Sequence, residues 1–190
     1  MRYVLFLVSL SFSLQIHAQK GPANSFAVGY YSAYGYQPGV ILKAERTYFR
    51  SAGATYGKQS KKIHPFLSLE LGTYAHFQNN LYINTSFSGG LRRSGKKGRS
   101  ISLFASMGVM RSQHLISTYQ LDESGSLNTV SGAGNWAVLP GFGLGIGGPS
   151  PVNRDKRFIP YATFRTQVQL PYNDSFLLHP MLELGFYFNK

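Results

Sequence analysis

Three of the seven acidic residues in this chain of 190, Glu45, Glu70 and Glu183, lie in stretches where apolar and other side chains alternate, and so do the cations Lys43 and Arg165. A period of two puts all five on the face of a strand opposite its apolar side. Gathered there, they can form a network of ion pairs or act as acid and base. A network must be well paired, because a lone buried charge costs several kcal/mol. A hairpin flanked by Leu170 and Leu178 puts Arg165 directly across from Glu183, which favours the network, and a similar pairing sets Glu45 facing Glu70. Interior ion pairs perturb titration without catalysing anything, so no catalytic role is assigned to these carboxylates.

Other residues that could do chemistry form weaker patterns. Ser112, His114 and Ser117 lie together and could serve acyl transfer or hydrolysis, but a nucleophilic serine needs an oriented base and no acidic partner is near them. His76, His114 and His179 take inward positions near one rim, at separations that fit no metal motif. The chain has no cysteine, hence no disulfide framework and no thiolate site. GFGLGIGG, residues 141–148, looks like a nucleotide loop only superficially, since its regular apolar partners make it a strand with glycine on one face. HExxH and GxSxG are absent. No catalytic residue, metal or cofactor is expected.

The elements that must position these residues are strands. In NLYINTSFSGGLRR, Leu81, Ile83, Thr85, Phe87, Gly89 and Leu91 oppose Tyr82, Asn84, Ser86, Ser88 and Gly90. Similar alternation predicts eight strands, near 26–36, 38–49, 62–76, 80–92, 100–112, 134–147, 158–170 and 177–188. Most exceed the roughly 5 to 6 residues of ordinary strands and match the roughly 9 to 11 that a tilted membrane-spanning strand needs. The face opposite the apolar one is Gly, Ser, Tyr, Asn and Thr with few charges, as a closed polar lumen would be. The fold class expected is therefore all-β: an eight-stranded antiparallel up-and-down transmembrane β-barrel, closed because every backbone group must be paired inside a bilayer. Its interior is just wide enough for side chains, so Lys43, Glu45, Glu70, Arg165 and Glu183 should plug it. Pro140 falls inside the sixth strand, where a bulge or kink is expected.

Charge follows the same plan. Arg50, Lys58, Lys61 and Lys62 belong to the second connection, Arg92, Arg93, Lys96, Lys97 and Arg99 to the fourth, and Arg154, Lys156 and Arg157 to the sixth. With Lys190 they would form one basic ring on one rim of the barrel. Residues 1–18, a basic start followed by a short apolar run and small residues, have the layout of a secretory signal peptide, with a mature domain over 19–190. Loss of Arg2 with that leader lowers the net charge from +12 to +11. Export and the placement of charge argue against nucleic acid as a partner. The long polar connection over 113–134, with Asp122 and Glu123, is the best candidate for contact with an extracellular ligand or protein.

Taken together, leader, alternating strands and terminal strand resemble the small outer-membrane β-barrel proteins of Gram-negative bacteria, OmpA- and OmpX-like in architecture. YGYQPGVILKAE (34–45) and PYNDSFLLHPMLELGFYF (171–188) are similar in style to Bacteroidetes-type versions. The resemblance implies residence in the outer membrane among its lipids, and a last strand read by the barrel-assembly machinery. Glu183, Gly185 and Phe188 match that assembly signal, while Lys190 stands where a final aromatic is usual. The function implied is non-enzymatic, structural or binding through outer loops. The alternatives are a lipid-modifying enzyme of the lipid A deacylase or acyltransferase type, and a secreted soluble barrel that binds a ligand.

Overall fold

The computed structural model describes residues 23–48, 62–76, 80–95, 97–115, 118–121, 127–130, 134–151, 153, 156–172 and 175–189. The signal-peptide reading of 1–18 lies outside them. Ten strands occur among the described residues: β1 (Ala23–Ala33), β2 (Gln37–Thr47), β3 (Lys62–His76), β4 (Asn80–Ser94), β5 (Ser100–His114), β6 (Thr118–Leu121), β7 (Leu127–Val130), β8 (Trp136–Gly147), β9 (Phe158–Tyr172) and β10 (Ser175–Asn189). Eight of them close an antiparallel barrel in the order β1-β10-β9-β8-β5-β4-β3-β2: each barrel strand pairs with the next barrel strand along the chain, β5 with β8 across the intervening β6 and β7, and β1 seals against β10. The remaining two, β6 and β7, pair as a separate hairpin within the 113–134 connection, where the alternation pattern predicts only a loop.

The wall is polarised inside out. Leu103, Phe142, Ile146, Phe164 and Phe186 are each more than half exposed, while Lys43, Glu45, Glu70, Arg165 and Glu183 are buried in the lumen. From Ile101 to Val109 the outward face of β5 carries no charge. That is about 27 Å of strand, or about 20 Å of height at the usual tilt of about 40°, close to the roughly 25 Å apolar band of membrane barrels.

Two expectations are corrected by the register, and a third in part. Arg165 lies opposite Met181, and Glu183 opposite Thr163, two residues from the expected pairing, because β9 and β10 run on to Tyr172 and Ser175 and shift register between Ser175 and Leu177. Glu70 lies opposite Lys43, not Glu45. Like charges directly across a ladder repel, and this register puts opposite charges there instead. Pro140 does sit inside β8, but without a bulge: Val138↔Leu170 and Gly141↔Gln167 keep one register, and pairing with β9 simply lapses over Leu139 and Pro140.

The rim where β1 begins and β10 ends also carries the connections 48–61, 95–99 and 148–157; the far rim carries 34–36, 77–79, 115–135 and 173–174. Loop length therefore does not separate the rims, and charge does. Of the basic ring, Arg93, Lys97, Arg99, Lys156 and Arg157 are exposed at the first of these rims. Arg92 is not part of it: its side chain is buried in the lumen, because even-numbered residues of β4 point inward. Arg50, Lys58, Lys61, Lys96, Arg154 and Lys190 lie outside the described residues, as does the side chain of Lys62.

Candidate functional site

The lumen is filled in layers. Nearest the far rim, Tyr31, Ile41, Tyr74, Met110, Leu139 and Met181 pack into an apolar cluster. The Tyr31 hydroxyl donates to the Met181 sulfur and accepts from Asn84 Nδ2 at 2.8 Å, so even this layer is pinned by polar contacts.

Beneath it lies a four-membered ring of charge, one member from each of four strands. Lys43 Nζ on β2 is 3.2 Å from Glu70 Oε1 on β3 and 2.9 Å from Glu183 Oε2 on β10. Arg165 on β9 reaches the same two carboxylates, Nη1 to Glu70 Oε2 at 2.6 Å and Nη2 to Glu183 Oε1. Each carboxylate thus bridges both cations. Ser68 and Ser86 donate further hydrogen bonds to Glu70, each at 3.1 Å. The cations also rest on rings, Lys43 over Tyr161 and Arg165 over Phe104. Gly143 of β8 makes this possible, since a Cβ there would strike the Phe104 ring and the Arg165 stem.

A second unit closes the lumen towards the basic rim. Arg92 grips Glu45 with both terminal nitrogens, Nη2 to Oε2 at 2.9 Å and Nη1 to Oε1, the two-pronged geometry that suits guanidinium and carboxylate. Glu45 also accepts from Tyr187 at 2.7 Å and from Thr47 at 2.8 Å, and Arg92 Nε donates to Ser102 at 3.2 Å over the face of Phe66. A void of about 20 Å³, room for about one water, separates the two units.

The sequence pattern places Lys43, Glu45, Glu70, Arg165 and Glu183 inward, and the structure brings four of them into one ring. The fifth, Glu45, belongs to the second unit with Arg92, which the pattern assigns to the rim. The signal that could have found Arg92 was parity, because it continues the even-numbered series Asn84, Ser86, Ser88. The three residues that the sequence suggests as an assembly signal all have structural contacts. Glu183 is in the ring, and Phe188 meets Phe158 edge to face. Gly185 stands opposite Gly29, and a Cβ on it would strike Gly29 Cα and the Tyr161 ring.

The remaining candidates do not converge. His179 is buried against Gln169 at 2.7 Å, and His114 Nδ1 contacts Asn80 Oδ1 at 2.7 Å. Asn80 stands between His76 and His114 in the sheet, yet no group of three metal-ligating side chains occurs among the described residues. Ser112 Oγ accepts from the Asn135 amide at 3.0 Å and donates to its carbonyl at 3.3 Å. Its hydroxyl is therefore occupied away from His114, and Ser117 lies outside the described residues.

No family description and no curated protein sequence matches this chain. Among solved structures it is similar to Neisserial surface protein A, with a TM-score of 0.46 at 11% identity over 87% of this chain and 93% of that one. The N-terminal β-barrel domain of Pseudomonas aeruginosa OprF gives 0.43 at 15% identity, over 88% and 99%. Ail, the attachment invasion locus protein of Yersinia pestis, gives 0.41 at 15%, over 89% and 100%. Fold does not carry function at such distances, so function must be read from this chain's own residues.

Proposed function

We propose that the chain is a non-enzymatic integral outer-membrane β-barrel protein with a plugged lumen, structural or binding through the 113–134 connection and its β6–β7 hairpin. The observation that carries this reading is the inversion of the wall: large apolar side chains outside, charge sealed inside. A soluble barrel would place its charge on the outside, so the secreted alternative loses its support. The lipid-modifying alternative has no assembled constellation behind it among the described residues, since Ser112 is bound to Asn135 and His114 to Asn80.

On this reading residues 1–18 are an export leader, removed on secretion, and the strand ending in Glu183, Gly185 and Phe188 is presented to the barrel-assembly machinery. Likeness to Bacteroidetes-type barrels rests on 34–45 and 171–188 alone. Two measurements test the proposal. Cell fractionation should leave the chain in the outer-membrane fraction until detergent is added. In planar bilayers the purified protein should show no steady large-conductance openings, because both charged units and the apolar layer block the axis; sustained openings would refute the plug.

A further inference from the structure

The wall is notched where β8 ends, and the position and charge of this notch point to a ligand. At Gly147 and Gly148 the chain adopts φ of +83° and +94°, a conformation that side-chain-bearing residues rarely take, and turns into the lumen mouth. There Pro149 O accepts from Arg92, while Asn153 accepts from the Ser150 amide at 2.7 Å and donates to Gly148 O at 3.1 Å. Because β8 leaves the wall early, its last partner on β9 is Tyr161, and Phe158 to Pro160 continue without it. The result is an outer groove of about 780 Å³ between β5 and β9, floored by Ile101, Ile146 and Phe158 and rimmed by the exposed cations Lys97, Arg99 and Lys156.

We infer that this groove is a binding site for an anionic phospholipid, its phosphate held by Lys97, Arg99 and Lys156 and one acyl chain lying along the groove. The inference rests on the membrane reading above. Charge complementarity selects the headgroup: SGKKGRS, residues 94–100, has no acid, and RDKR, residues 154–157, has one against three bases. Depth selects a lipid rather than a free anion, because the cations stand at the rim of the apolar band with an apolar trough below them. Basic residues at this level attract anionic lipid, each adding appreciably to the affinity.

The test uses the full chain inserted into phosphatidylcholine vesicles containing one part in five of phosphatidylglycerol, extracted in mild detergent, with retained lipid read by native mass spectrometry. Insertion is scored separately by the electrophoretic shift between unheated and boiled samples. The wild type should retain phosphatidylglycerol about tenfold above its share of the vesicle. The combined substitutions K97Q, R99Q and K156Q should lower that enrichment to about onefold. Ala162→Trp, which fills the groove and leaves the cations, should also remove it. A chain that inserts but shows no enrichment overturns this inference alone, as does a triple variant that keeps it. Displacement of the lipid by millimolar glycerol 3-phosphate would also overturn it, since the trough would then add nothing. A chain that inserts into no vesicle overturns the membrane reading, and this site with it.

Discussion

Arg92 is the residue on which the lumen's electrical balance turns. With it, three buried carboxylates, Glu45, Glu70 and Glu183, meet three buried cations, Lys43, Arg92 and Arg165. Removing one partner of such a pair leaves an uncompensated charge in a site shielded from bulk solvent, which costs about 3 to 5 kcal/mol, whereas replacing both can be close to neutral. Arg92→Met should therefore lower the urea midpoint of the detergent-folded barrel strongly, and Glu45→Gln with Arg92→Met should recover most of the loss. A double variant as unstable as the single would show that the pair is not the unit that matters. Inward residues were legible in the sequence by parity alone, since Lys43, Glu45, Glu70, Arg165 and Glu183 each sit an even number of residues from other lumen positions. Who meets whom was not legible, because partnership depends on register, and a shift of two residues keeps every side chain on its face while changing its neighbour. Arg92 is concealed for a different reason: alternation in the sequence ends that strand at residue 92, which makes its last inward position look like turn.

Strand β10 packs the barrel with the same residues that are proposed above to mark it for assembly. Gly185 lies where β10 passes Gly29 of β1, beneath the Tyr161 ring that also carries Lys43. A larger side chain would meet backbone as well as the ring, so repacking Tyr161 could not relieve it. Gly185→Val should therefore hinder refolding in detergent with no assembly machinery present, and lower stability by about 1 to 3 kcal/mol. Phe188→Ser changes only an outward side chain that meets Phe158, and should refold normally in the same assay. If Gly185→Val refolds as the wild type does in detergent but fails to assemble in cells, the glycine serves recognition and not packing. At this scale the eight barrel strands were legible because each is long and alternates over most of its length. The β6–β7 hairpin was not: its two strands have four residues each, within a Ser- and Gly-containing segment, too short for a period of two to stand out.

For the whole molecule, charge is sorted by depth as well as by rim. The interior pairs are neutral as a set and shielded by the wall, while Arg93, Lys97, Arg99, Lys156 and Arg157 stand exposed at one rim. Salt screens the two populations differently. The Debye length falls from about 10 Å at 0.1 M to about 3 Å at 1 M, which quenches exposed charges and leaves buried pairs largely untouched. Insertion from urea into vesicles containing phosphatidylglycerol should therefore be faster than into pure phosphatidylcholine at low salt, and the two rates should converge near 1 M. Once the barrel is inserted, its unfolding free energy should change little over the same range. If salt instead lowers the stability of the inserted barrel as steeply as it slows insertion, the buried network must be open to solvent. The lumen would then be wet through both ion-pair units, and the layered packing could not form a plug.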